Sequence, residues 1–158
     1  MATMEEKKLR QLRLFNNLVF GFAKGMYDLF GDAALATVDT IGEDVLEEME
    51  HSLGLEVQGE NPQNILTEIE RLLIDEYGMA KGARLAISGD TINLMCEGCL
   101  LWQATQDLQA AAVPPYTCVP MMMASAALRK RLGQKAKFVS ISQDMGNRVC
   151  DIEFRMLN

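Results

Sequence analysis

A chain of 158 residues with 49% hydrophobic content is long enough to enclose one core and too short for two full domains. Acidic residues outnumber basic ones 22 to 15, and the formal charge of -7 offers no field to attract phosphate backbones or anionic lipid, so no nucleic acid is expected as a partner. Lys24, Asp28 and Asp32, then Gln103 and Asp107, interrupt the apolar stretches before any can cross a bilayer, and MATMEEKKLRQLRLF lacks the apolar run and cleavage site of a secretory signal. The expected location is cytoplasmic.

Met4 to Phe20 reads as an amphipathic helix, with Leu9, Leu12, Phe15 and Leu18 opposite Lys7, Lys8, Arg10 and Arg13. Gly21 and Gly25 leave open whether Phe22 to Phe30 continues it, kinks it or forms a second short helix. After Gly31, Asp32 is the expected cap of a helix carrying Leu35, Val38, Ile41, Val45, Leu46 and Met49, with EDVLEEME on its outer face and Gly42 as a point of division. Asn61-Pro62 marks the clearest helix start, with Ile65, Leu66, Ile69, Leu72 and Leu73 inward and Gly78 as the stop.

From Ala83 the period changes to two. ARLAISGDTINLMCEG predicts a hairpin turning at Gly89-Asp90, with Leu85 and Ile87 on one face. Helices follow over Leu101 to Ala112 and Val119 to Leu132, separated by Pro114-Pro115 and ended by Gly133. KFVSISQDMGNRVCDIEFRML predicts a second hairpin turning near Gly146-Asn147. The fold class is α+β: N-terminal helices, then an antiparallel sheet built from two hairpins with helices packed on it. Residues 1–30 read as a helical dimerisation segment and residues 31–158 as the binding domain.

His51, the one histidine, ends an acidic helix and reads as solvated, and no GxSxG elbow accompanies it. GxxxxGK[ST] and GxGxxG are both absent, which disfavours nucleotide chemistry. Glu47, Glu48 and Glu50 read as a hydrated helix face. Cys96 and Cys99 form a CxxC after the second strand, while Cys118 opens a helix and Cys150 lies in the last strand. Folding can unite all four; a zinc site, thioredoxin-type redox chemistry and ordinary buried thiols stay open. The run CVPMMMASAAL, in a chain with 11 methionines, suits either the wall of an apolar cavity or close helix packing.

The cysteine opening a helix, the glycine after that helix and the hairpin ending in GNRVCDIEF resemble the 4-vinyl reductase domain family of hydrocarbon-binding proteins, whose fold is shared with transport protein particle subunits. The resemblance covers Gly31 to the C-terminus. It implies a domain that encloses a small hydrophobic molecule and pairs as a homodimer through its helices. It also implies zinc held by Cys118 and Cys150, but Val139 and Ser142 stand where the family's carboxylate and third cysteine are expected, so Cys96 and Cys99 would have to complete the set.

The leading expectation is a sensor or carrier domain binding an aromatic, hydrocarbon or lipid-like molecule, with Trp102, Met121, Met122, Phe138 and Phe154 lining the pocket. The alternatives are a helical homo-oligomeric scaffold without ligand and a cysteine-dependent enzyme acting through Cys118.

Overall fold

A computed structural model describes residues 1–157. Helix α1 runs unbroken over Met4–Phe30, started by a reciprocal cap in which the Thr3 hydroxyl accepts from the Glu6 amide and the Glu6 carboxylate accepts from the Thr3 amide. Gly21 and Gly25 do not divide it, and a Cβ added at either would meet no other atom of the fold within 4 Å. A short 3-10 turn over Gly31–Ala36 leads to α2, Thr37–Leu53. Asp32 sits inside that turn and accepts from the Tyr27 hydroxyl at 3.1 Å instead of capping α2.

Gly42 does not divide α2; it is the crossing point with a later helix, where an added Cβ would lie 2.8 Å from the Met122 carbonyl oxygen. Helix α3 spans Pro62–Arg71 and begins as its sequence dictates, with the Asn61 side chain accepting from the Asn64 amide at 3.0 Å and proline in the first turn. It widens into a π turn over Leu72–Glu76 before Gly78. Ile65, Leu66, Ile69, Leu72 and Leu73 are all buried.

Strands β1, Gly82–Ser88, and β2, Thr91–Glu97, form the first hairpin. Helices α4, Trp102–Ala110, and α5, Val119–Leu132, precede the second, made of β3, Lys135–Asp144, and β4, Val149–Leu157. The hairpins join through their later strands, giving one antiparallel sheet of order β1-β2-β4-β3. Pairing sets Ile92 opposite Phe154, Leu94 opposite Ile152 and Cys96 opposite Cys150, so one face of the two central strands is buried throughout.

Helix α5 packs against α2, α3 and β3 and forms the middle of the core. Nine of its residues, Pro120 through Leu128, are buried. The pairing of β3 with β4 shifts at Val139, so Phe138 faces Phe154 while Ile141 faces Ile152. Without that bulge, residues three apart would point to opposite sides of the sheet.

Helix α1 lies along α4. Its buried Asn16 is the tie: Nδ2 donates to the carbonyls of Leu12 at 3.0 Å and Leu100 at 2.8 Å, and Oδ1 accepts from the Ala104 amide at 2.9 Å. Leu14, Phe15, Leu18, Phe22, Leu29 and Phe30 on the same helix stay exposed. No helix among the described residues is long and apolar enough to cross a membrane.

Candidate functional site

Two cavities of different chemistry lie on either side of the α5 N-terminal half. The larger, about 310 Å³, is bounded by α5, β3, β4 and the segment entering α2. Met121 and Ser125 come from α5, Ala136 and Phe138 from β3, Phe154 from β4, and Val38 from α2. These residue types make a mainly apolar wall, and the two hydroxyls that border it are each turned to a backbone carbonyl: Ser125 donates to Ala136 at 3.5 Å and Tyr116 to Ala23 at 2.7 Å. Asp39, Lys135 and Lys137 also border it, so charged groups of both signs edge the apolar chamber.

Three of the five expected lining residues, Met121, Phe138 and Phe154, meet here. Trp102 and Met122 do not. Trp102 is buried beside a polar groove of about 730 Å³ shared with Asn16, Gln103 and Arg148, and the Arg148 guanidinium stands 6.0 Å from its ring centroid. Met122 is buried next along the helix, where α5 and α2 meet at Gly42; a helical step of 100° turns it away from its neighbour's cavity.

The smaller cavity, about 10 Å³, is lined by all four cysteines together with Leu101, Thr105, Val119, Pro120, Ile141 and Ile152. Cys96 and Cys150 reach it as directly opposed residues on β2 and β4. Gly98, at φ +61°, turns the chain after β2 and brings Cys99 back toward Cys96, while Cys118 arrives as the residue before α5. The four are free thiols, and among the described residues no three His, Cys, Asp or Glu side chains stand in metal-holding geometry.

The thiols are not equivalent. A hydrogen bond between Cys96 and Cys99 leaves the proton on Cys96, raising its pKa, and draws that of Cys99 below the usual thiol value. Burial pushes Cys118 up to about 12, opposed by the amide of Met121, which still falls short of a capping hydrogen bond. Burial also raises Cys150, against the Gln143 side-chain amide that donates to its sulfur at 3.4 Å. Val139 and Ser142 are exposed; Ile141 and Gln143 are the β3 residues that face this cavity or its cysteines.

Elsewhere, His51 ends α2 exposed, as its sequence position suggests. Glu50 corrects the reading of a wholly hydrated acidic face. Its Oε1 accepts from Arg131 at 2.7 Å and from the Val57 amide at 3.1 Å, and its Oε2 accepts from Lys130 at 2.6 Å. Burial alone would raise its pKa, but these three donors outweigh it and hold the carboxyl below its ordinary value.

The family model described as "Putative rubredoxin C-terminal domain" (RdxA_C) matches residues 15–157. The chain belongs to this family. The resemblance of the tail to the 4-vinyl reductase domain family is not shown by this match. No curated protein matches the chain. Among solved structures, a mutant Tt H-NOX is similar at 11% identity and TM-score 0.46, over 84% of this chain and 66% of that one. A mutant H-NOX of T. tengcongensis gives 12% identity and TM-score 0.46, over 84% and 68%. An oxygen-binding H-NOX domain related to soluble guanylate cyclases gives 12% and 0.45, over 94% and 90%. At these scores neither a common topology nor a common ligand follows.

Proposed function

We propose that this RdxA_C domain binds one small, mainly apolar molecule in the 310 Å³ chamber between α5 and the β3–β4 hairpin, acting as a sensor or carrier module. The observation that carries this reading is the chamber itself. A core of buried Met, Phe and Ala side chains leaves a space at the lower end of the roughly 300–1,000 Å³ occupied by small ligands. Met121 supplies a wall that adjusts to shape, and Phe138 and Phe154 offer ring faces and edges. Removing roughly 200 Å² of apolar ligand surface from water contributes about 5 kcal/mol at 25 cal/mol per Å². Lys135, Lys137 and Asp39 at the border suit a ligand with one polar end.

The test is a titration of the purified chain with a graded set of benzene, toluene, naphthalene and hexane, followed by the thermal midpoint and the methyl spectra of its methionines. Saturable binding with Met121 shifts is expected. Ser125→Leu, which fills the chamber from α5, should abolish binding while the chain keeps its helical circular dichroism. No saturable binding to the unaltered chain, or equal binding to the filled variant, would overturn the reading.

We further propose that a second copy of the chain covers the open apolar face of α1 and α2. Phe22, Met26 and Ile41 line a shallow groove of about 480 Å³ there, and Leu18, Leu29 and Val45 are exposed on the same two helices. The basic start of α1, with Lys7, Lys8, Arg10 and Arg13, complements the acidic Glu43, Asp44, Glu47 and Glu48 of α2, so a two-fold arrangement pairs opposite charges around an apolar centre.

A further inference from the structure

We propose that Cys96, Cys99, Cys118 and Cys150 form a four-thiolate site for one thiophilic divalent ion of the zinc class. The argument begins with convergence. Four cysteines supplied by β2, the turn after it, the residue before α5 and β4 border a single cavity, although they lie up to 54 positions apart in the chain. At about 10 Å³, that cavity has room for roughly one water-sized sphere and none for an organic ligand.

Tetrahedral thiolate coordination with bonds of about 2.3 Å sets the sulfurs about 3.8 Å from one another. The four free thiols do not stand in that geometry. The separation is nevertheless within reach of side-chain rotation. Cys96 and Cys150 are directly opposed on neighbouring strands, a relation that places Cβ atoms about 4.5–5.5 Å apart. The CxxC loop turned at Gly98 and the entry to α5 deliver the other two sulfurs to the same cavity.

A second observation concerns what surrounds the sulfurs. Four thiolates around a divalent ion carry two net negative charges, which a buried site must offset with N–H donors. Gln143 Nε2 already donates to Cys150 at 3.4 Å, and the amides of Leu101 and Met121 lie near Cys99 and Cys118. Cys118 also sits at the positive end of the 14-residue helix α5. Thr105, Val119, Pro120, Ile141 and Ile152 close the cavity and keep water from competing for the ion.

The experiment uses the full chain, reduced and metal-free, with no apolar compound present, so its outcome is independent of ligand binding. Titration with Co(II) should saturate at one ion per chain and give the visible bands and sulfur-to-cobalt charge-transfer absorption of a tetrahedral thiolate site. Stoichiometric Zn(II) should bleach both and protect all four thiols from alkylation. Gln143→Leu removes a donor but no ligand, and should weaken binding about 10-fold. Cys150→Ser should lose the four-sulfur spectrum. The unaltered chain carries the decision, since it needs no substitution to be tolerated. Absence of the cobalt bands, four thiols alkylated equally with and without zinc, or an intact mass showing a disulfide between any two of these cysteines would overturn the proposal.

Discussion

Helices α1 and α5 share a molecule and little else. Of the 27 residues of α1 only Asn16 and Ala23 are buried, whereas nine of the 14 in α5 are. Helix α1 has a distinct apolar stripe, and most of it faces outward; α5 has no polar face until its last turn, and the rest of the fold is built around it. Amphipathic periodicity reports that a face needs cover, not that its own chain provides it. A helix apolar on every side leaves less choice, because only a position between other elements can bury it.

The largest effect is expected where α5 is seated. Gly42→Ala places a Cβ 2.8 Å from the Met122 carbonyl oxygen, a backbone atom that cannot rotate away, and should cost about 3 kcal/mol in a urea melt. A variant as stable as the unaltered chain would mean that α2 and α5 cross less closely than described.

A smaller effect is expected at the other end of α5. Glu50→Gln replaces a carboxylate held by Lys130, Arg131 and the Val57 amide, and should cost about 2 kcal/mol near pH 7. Because folding lowers the Glu50 pKa, its contribution is complete above the unfolded-state value and is lost as pH falls through the folded-state value. The gap between the two proteins should therefore narrow on acidification through the carboxylate range. A gap independent of pH would assign the loss to packing instead of charge.

The smallest change in chain stability belongs to α1. Phe22 is 73% exposed, so Phe22→Glu should alter the stability of the single chain by less than about 0.5 kcal/mol. Light scattering should nonetheless show its mass falling from two chains to one. An unaltered protein that is already monomeric at high concentration would remove the proposed second copy.

Much of this arrangement was legible wherever local chemistry decides the backbone. Asn61-Pro62 starts α3, Pro114-Pro115 separates α4 from α5, Gly133 ends α5, and both hairpins turn where their Gly-Asp and Gly-Asn pairs stand. The continuity of α1 was not legible, because single glycines lower helix propensity by only about 1 kcal/mol and the length and tertiary contacts of a helix readily outweigh that.

The sites divide in the same way. Period-two alternation identifies Phe154 as inward but gives no sign that β3 shifts phase at Val139. A CxxC is visible in one dimension; its approach to Cys118 and Cys150 depends on how two hairpins join, which no local pattern encodes. Trp102 was expected to line the apolar chamber as part of the helix preceding α5, yet its position at the start of α4 sets it in the groove beside α1. Asn16 carried a readable clue, a short polar residue within an apolar stretch, but two of its three partners, Leu100 and Ala104, lie more than 80 positions away.

The extra residue at Val139 divides one ribbon into two halves with opposite inward parity. Before it, the even-numbered Ala136 and Phe138 border the space offered to an organic guest; after it, the odd-numbered Ile141 and Gln143 attend the sulfur cluster. One backbone irregularity thus lets a single strand serve two compartments. Deleting it would force a choice between them, since no uninterrupted alternation can satisfy both.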